Sequence, residues 1–410
     1  MKISLVCIIY FFLGFTLSLI VCEIFRACYK LEFLNKNKID LPKDSATYKL
    51  ASKDKHGYIK SQKKASIKKI KWLFKDLLEI FVYLGIVSCF IISQIQHKLL
   101  SFCEQRLNIL NDSYCNFRKS EVNFVNLIFT TFILISLWIS DLYGTKIEFV
   151  KYVFAIIFSY FFIFPFIIIL ILLTLRKIGI QLIIACYLAY FIKLVPDIFT
   201  VDRVEDGMKK ITSSKFPQRI QNVLKYYHLN NDVYIEKEPS ANMNAALIGY
   251  GDKMRIEIYG DMDKLNKKKI YSVFLHELGH AYEYSLFKKA TIYLSLLCIE
   301  CGILVFFHKK MAKKYANEKM NNEVSFLFLL LIYKISLRPW VMILYKFMSH
   351  RSEIVSDIFT KNFDYNEELG KTLYEIGIDS YDYLTPTVLY NLLKSGHPSI
   401  YDRVEYLLKM

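Results

Sequence analysis

What most limits the fold of this chain is a series of apolar runs long enough to cross a bilayer. A spanning helix needs about 20 mostly apolar residues. Seven stretches qualify, at 3–24, 73–96, 122–141, 150–175, 178–197, 291–308 and 325–347. The fourth is almost pure Ile, Leu and Phe between Phe154 and Leu175. In lipid every backbone polar group must be satisfied within the structure, so runs of this kind form helices. The composition agrees, with 54% hydrophobic and 16% aromatic residues and a mean hydropathy of +0.27. That argues against the roughly two or three soluble domains that a chain of 410 residues would otherwise allow. The first run ends in Val21-Cys22-Glu23, with no small-residue cleavage site, and reads as an uncleaved span.

The net charge of +16 lies largely between these runs, where it orients a chain in the membrane rather than binding nucleic acid. Residues 25–72 hold 14 Lys or Arg against 4 Asp or Glu. Basic loops stay cytosolic, so the N-terminus is expected in the lumen and the C-terminus in the cytosol. The segment 97–121 is then lumenal. It carries the glycosylation pattern Asn111-Asp112-Ser113, together with Cys103 and Cys115, which can pair in an oxidising compartment. The segment 309–323 dissents, because Lys309, Lys310, Lys313, Lys314 and Lys319 fall on the lumenal side. The Lys-rich segment 25–72 reads as a basic cytosolic loop, partly disordered. The expected organisation is spans one to five in 1–197, a cytosolic region 198–290, spans six and seven in 291–347, and a cytosolic tail 348–410. Lys334 and Arg338 fall inside the seventh span, so they are expected to face protein or water, and Pro339 to kink that helix.

The chemistry begins at His276-Glu277-Leu278-Gly279-His280. On a helix His276 and His280 are four apart and share one face, so both imidazoles can reach one zinc ion. Glu277 can hold a water molecule against that metal and take its proton, the role of a general base. Two surface histidines on an ordinary helix would give the same pattern, so a third ligand decides. The extended H-E-x-x-H motif offers none, since position 283 is Glu and position 286 is Leu. A carboxylate on a second helix is the other solution. Glu353 and Asp357 follow the seventh span, one turn apart. Glu353 can complete the tetrahedral site, and Asp357 can accept the remaining ring N–H of a ligand histidine.

Two further stretches bear on the site. Residues 245–250 and 254–259, around Gly251-Asp252, read as a β-hairpin. Its free edge can pair with an extended substrate, or the hairpin can be purely structural. In the tail, His397 can donate to the oxyanion formed on a scissile carbonyl, or His397-Pro398 can simply cap the last helix. Arg403 reads as a supporting hydrogen-bond donor.

These motifs in this order resemble the type-1 CAAX prenyl proteases, the family of the a-factor-converting and prelamin A-processing enzymes. The family's Ser-Arg-x-x-Glu is matched by Ser349 and Glu353, with His350 in place of the Arg and Arg351 one position later. Its Asn-Ala-x-x-x-Gly is matched by Asn244, Ala245 and Gly249, and its Pro and Glu-Asp-Gly by Pro196 and Glu205-Asp206-Gly207. Its His-Pro-x-x-x-x-Arg is matched by His397, Pro398 and Arg403. The resemblance implies a fold: an all-α membrane bundle of seven transmembrane helices around a hydrated chamber, with a small cytosolic α+β zinc metalloprotease domain, gluzincin-like. It implies one Zn(2+) per chain on His276, His280 and Glu353, catalysis by Glu277 and His397, support from Asp357 and Arg403, and substrate contacts at Asn244 and Ala245. It also implies partners: the lipid bilayer and prenylated CAAX proteins, which lose their last three residues, with a second upstream cut in some. The expected location is the endoplasmic reticulum membrane, with the inner nuclear membrane as a second placement. The alternative reading is a membrane-protein quality-control zinc protease with no strict prenyl requirement.

Overall fold

The computed structural model describes residues 5–91, 180–199, 207–229, 232–237, 244–249, 254–259, 267–315, 330 and 333–409. The third and fourth expected spans, Asn111, Cys103 and Cys115 lie outside the described residues. The chain divides into two compact units. One comprises Met1–Leu13, Lys75–Ala189 and Leu297–Arg338; the other comprises Gly14–Phe74, Tyr190–Leu296 and Pro339–Met410.

The expected spans map onto long helices where they are described. The first lies in α1 (Leu5–Asn35), the second in α3 (Lys55–Ile91), the fifth in α4 (Ile180–Phe199) and the sixth in α7 (Ser285–Tyr315). Among the described residues, two helices are long and apolar enough to cross a membrane, over Tyr10–Asn35 and Ser285–Lys310. The chain of the seventh expected span is π-helical over Tyr333–Leu337, forms a short helical turn Arg338–Val341, and continues as α8 (Ile343–Lys361). The irregularity sits around Pro339, which has no N–H to give the helix. Within the first unit Arg338 Nε donates to Glu300 Oε1 at 3.0 Å, so this cation faces protein; Lys334 is exposed. Cys298 and Cys301, one turn apart on α7, are free thiols.

The basic segment 25–72 is not a disordered loop. It forms the end of α1, the short helix α2 (Ala46–Lys53) and the start of α3. The reason is a stripe that the lysine content obscures. Tyr58, Gln62, Ala65 and Leu73 recur at helical spacing and are almost fully buried, while the lysines take the other faces. The buried polar members are satisfied on the C-terminal tail. Ser61 Oγ donates to the Ile378 carbonyl at 2.6 Å, Gln62 Nε2 to the Asp382 carbonyl at 2.8 Å, and Thr47 N–H to Glu405 Oε1 at 2.7 Å.

The second unit also holds a four-stranded mixed sheet in the order β1-β2-β4-β3. Its strands are β1 (Met208–Ile211), β2 (Val233–Glu236), β3 (Asn244–Ile248) and β4 (Arg255–Tyr259). The pairs β1–β2 and β3–β4 are antiparallel and β2–β4 is parallel. The hairpin expected around Gly251-Asp252 is β3–β4, with Asn244 opposite Tyr259 and Ile248 opposite Arg255. The sheet packs on α5 (Gln218–Tyr226) and α6 (Lys267–Tyr282) around Ile220, Leu224, Val233, Ile256, Ile258, Phe274 and Leu278. The tail adds α9 (Asn366–Asp379), α10 (Val388–Lys394) and α11 (Ile400–Lys409).

Candidate metal centre

Helix α6 is buried on nearly every side over 272–281, because β3 covers one face and α8 another. The close approach of α6 to α8 depends on Gly279. A Cβ there would meet Ser356 Cα at 2.6 Å and Ser356 Cβ at 2.9 Å, closer than real carbons come. Small residues on α8, Ser349, Ser352 and Ser356, take up the rest of the contact and are buried.

This packing brings His276, His280 and Glu353 together. Glu353 Oε2 lies 3.3 Å from His276 Nε2, and Glu353 Oε1 lies 3.4 Å from His280 Nε2. Ligands about 2.0–2.1 Å from a tetrahedral zinc stand roughly 3.3–3.4 Å apart, so the three groups fit one ion. Glu277 also offers a carboxylate near the two rings, with all three ligand atoms within 4.8 Å of one another. Glu353 is the better third ligand, because one of its oxygens faces each imidazole. Glu277 instead accepts the Leu247 N–H of β3 on Oε2 at 2.9 Å, which holds it beside the metal position.

The outer contacts fix the rings. His276 Nδ1 lies 3.0 Å from Asp357 Oδ1, the partner expected for a ligand histidine. His280 Nδ1 lies 2.9 Å from Ser356 Oγ and 3.2 Å from Ser352 Oγ. Those two serines escaped the sequence reading, although each stands one residue before Glu353 or Asp357. Arg403 is the buried hub, donating from Nε to Asp357 Oδ2 at 3.0 Å, from Nη2 to Asp357 Oδ1 at 2.8 Å and from Nη1 to Glu353 Oε2 at 3.2 Å. His397 Nδ1 lies 3.0 Å from Glu353 Oε1, with its side chain 66% exposed. Asn244 and Ala245 open β3, and Ala245 pairs with Ile258. Lys289, on the first turn of α7, was also missed; its Nζ is 4.0 Å from Glu353 Oε1.

Electrostatics follow from this crowding. Burial works against the Glu353 carboxylate, but hydrogen bonds from His276, His280 and His397 overcome it and hold its pKa far below the usual range. Asp357 is lowered in the same way: burial opposes its charge, and Arg403 and His276 outweigh burial. For His276, burial and the Arg403 charge disfavour protonation, yet Asp357 and Glu353 raise its pKa to about 9.

The comparisons with known proteins fall on this same segment. The model of peptidase family M48 matches residues 215–410, which contain all of these groups. Residues 215–410 are a metallopeptidase domain of family M48. Peptidases of that family are zinc-dependent, and the donor set here can hold a metal ion. The crystal structure of S. mikatae Ste24p matches at a TM-score of 0.56 and 15% identity, covering 99% of this chain and 100% of that chain. The chain thus carries the Ste24p fold along almost its whole length, and the resemblance to the type-1 CAAX prenyl proteases holds in fold. No curated protein matches the sequence.

Proposed function

We propose that the protein is a seven-span membrane endopeptidase that removes the last three residues of prenylated Cys-a-a-X proteins. The observation that carries this reading is Glu277 held between the edge strand β3 and a His276–His280–Glu353 triad whose spacing fits one zinc. When bound, zinc supplies a Lewis acid that acidifies water and polarises a carbonyl. The residues do the rest. Backbone groups alternate along a strand, and Leu247 already points its N–H away from β4, so Ala245 turns its own N–H and C=O to the same open side. An extended substrate pairs there, with Asn244 at the start of the strand, and its scissile carbonyl lies over the metal position. Glu277 takes a proton from water and returns it to the leaving amine. His397 donates to the developing oxyanion, and Asp357 and Arg403 keep His276 and Glu353 in place.

Pairing to a strand edge reads little sequence, so selectivity comes from elsewhere. A prenyl chain among the membrane helices supplies it, at about 0.8 kcal/mol per buried CH₂. We place the protein in the endoplasmic reticulum membrane with its N-terminus lumenal and its C-terminus cytosolic, since the basic segment 25–72 belongs on the cytosolic side. The test compares farnesylated and bare Cys-a-a-X peptides with purified protein. We expect kcat/KM to fall at least about tenfold without the prenyl group. Equal cleavage of the two peptides supports a quality-control protease instead.

A further inference from the structure

Beyond the metal, α8 presents a second functional group to the same face. Lys346, His350, Glu353 and Asp357 follow at positions i, i+4, i+7 and i+11, one stripe along the helix. His350 Nε2 lies 3.3 Å from the Ser395 carbonyl, against the turn that carries His397. Lys346 closes the stripe at the start of α8. It is half-buried, and no carboxylate among the described residues pairs with it. Lys289 and Arg403, the cations beside Glu353, are both engaged by it. Along this strip α7 runs beside α8, with Lys289 near Glu353 and, one turn on, Tyr293 stacked edge-on with Tyr345 at 5.4 Å.

Distance gives the strip a meaning. Seven residues of helix separate Lys346 from the metal ligand Glu353, about 10 Å at 1.5 Å per residue. Three extended residues also span about 10 Å, at roughly 3.3 Å each. We propose that Lys346 binds the C-terminal carboxylate of the substrate and thereby sets the cut three residues from the chain end. This rests on the reading of the protein as a Cys-a-a-X protease and adds how the end is measured. An unpaired, partly desolvated ammonium is suited to this, because a carboxylate restores the partner that its burial removed.

The test uses one prenylated Cys-a-a-X peptide in two forms, free acid and C-terminal amide. Wild-type protein should cleave the amide with kcat/KM at least about tenfold lower, mostly through KM. Lys346→Met should lower the acid to the level of the amide and leave the amide unchanged, and Lys346→Arg should restore the preference. Binding is read separately, by titrating the a-a-X tripeptide acid and amide into zinc-loaded Glu277→Gln protein with and without Lys346→Met. An acid-to-amide ratio that is the same in wild type and Lys346→Met overturns the proposal, as does a wild type indifferent to amidation. Should Lys346→Met accumulate poorly, Lys346→Gln and the wild-type amide comparison decide. Repeating the pair on the bare peptide separates the two ideas. Loss of prenyl preference sinks the substrate reading, whereas loss of acid preference sinks Lys346.

Discussion

At the scale of single residues, the site depends on which carboxylate does what. Glu277 and Glu353 both stand near the two imidazoles, and only their other contacts separate them. Glu353 is surrounded by His276, His280, His397 and Arg403, so it stays ionised and fit to bind a metal. Glu277 has an N–H of β3 on one oxygen, and general-base work needs the other. Glu277→Gln keeps the shape and the Leu247 contact but cannot accept a proton. It should retain zinc and fold while losing at least about 10²-fold in kcat, roughly 3 kcal/mol of barrier. Elemental analysis beside single-turnover assays checks this. Turnover near that of wild type would place the base elsewhere. The placement of these groups was legible in the sequence because His276 and His280, like Glu353 and Asp357, are local pairs, four residues apart on one helix. The second partner of Asp357 was less legible. Its Arg403 lies 46 residues away in sequence, and that contact exists only once α11 has packed on α8.

At the scale of elements, the metal position is the product of one tight helix crossing. His276 and His280 lie on α6 and Glu353 on α8, and Gly279 sets how near those helices come. Gly279→Ala inserts a methyl group against the Ser356 backbone, where no flexible side chain can yield. The helices must separate, at a cost of about 1–3 kcal/mol. The three ligands should then fit the ion less well. Expected outcomes are a lower melting temperature and a weaker zinc affinity in competition titrations, both relieved in part by Ser356→Gly. Wild-type zinc affinity in Gly279→Ala would show that the crossing is not what sets the ligand geometry. The same scale shows where sequence reading stops. The antiparallel pairing of β3 with β4 was legible from the alternating pattern of the two segments. The helices of 25–72 were not, because 14 basic residues mask a buried stripe whose members include Ser61 and Gln62. Those polar groups are buried only because the tail satisfies them. Composition reports the charge of such a segment and not the partner that folds it.

At the scale of the molecule, the metal position ties together segments far apart in the chain. Its ligands come from α6 and α8, and Arg403 of α11 braces two of the groups that surround it. Two residues along the same helix, Glu405 accepts from Ala46 and Thr47 of α2. A metal ion that binds only the folded arrangement therefore stabilises the whole second unit by mass action. With free zinc at about a hundredfold its Kd, the gain is ~2.7 kcal/mol. For a unit of about 150–250 residues each kcal/mol moves the melting temperature by ~2–4 °C, so chelation should lower it by roughly 5–10 °C. Glu277→Gln should show the same drop, since it keeps all three ligands. His276→Ala should start near the chelated value and not respond to chelator. Differential scanning fluorimetry in detergent, with zinc content measured on the same samples, reads all three. A wild type that loses its zinc without any change in melting temperature would mean that the second unit is held by α1–α3 docking and core packing alone, with the metal added to a finished structure.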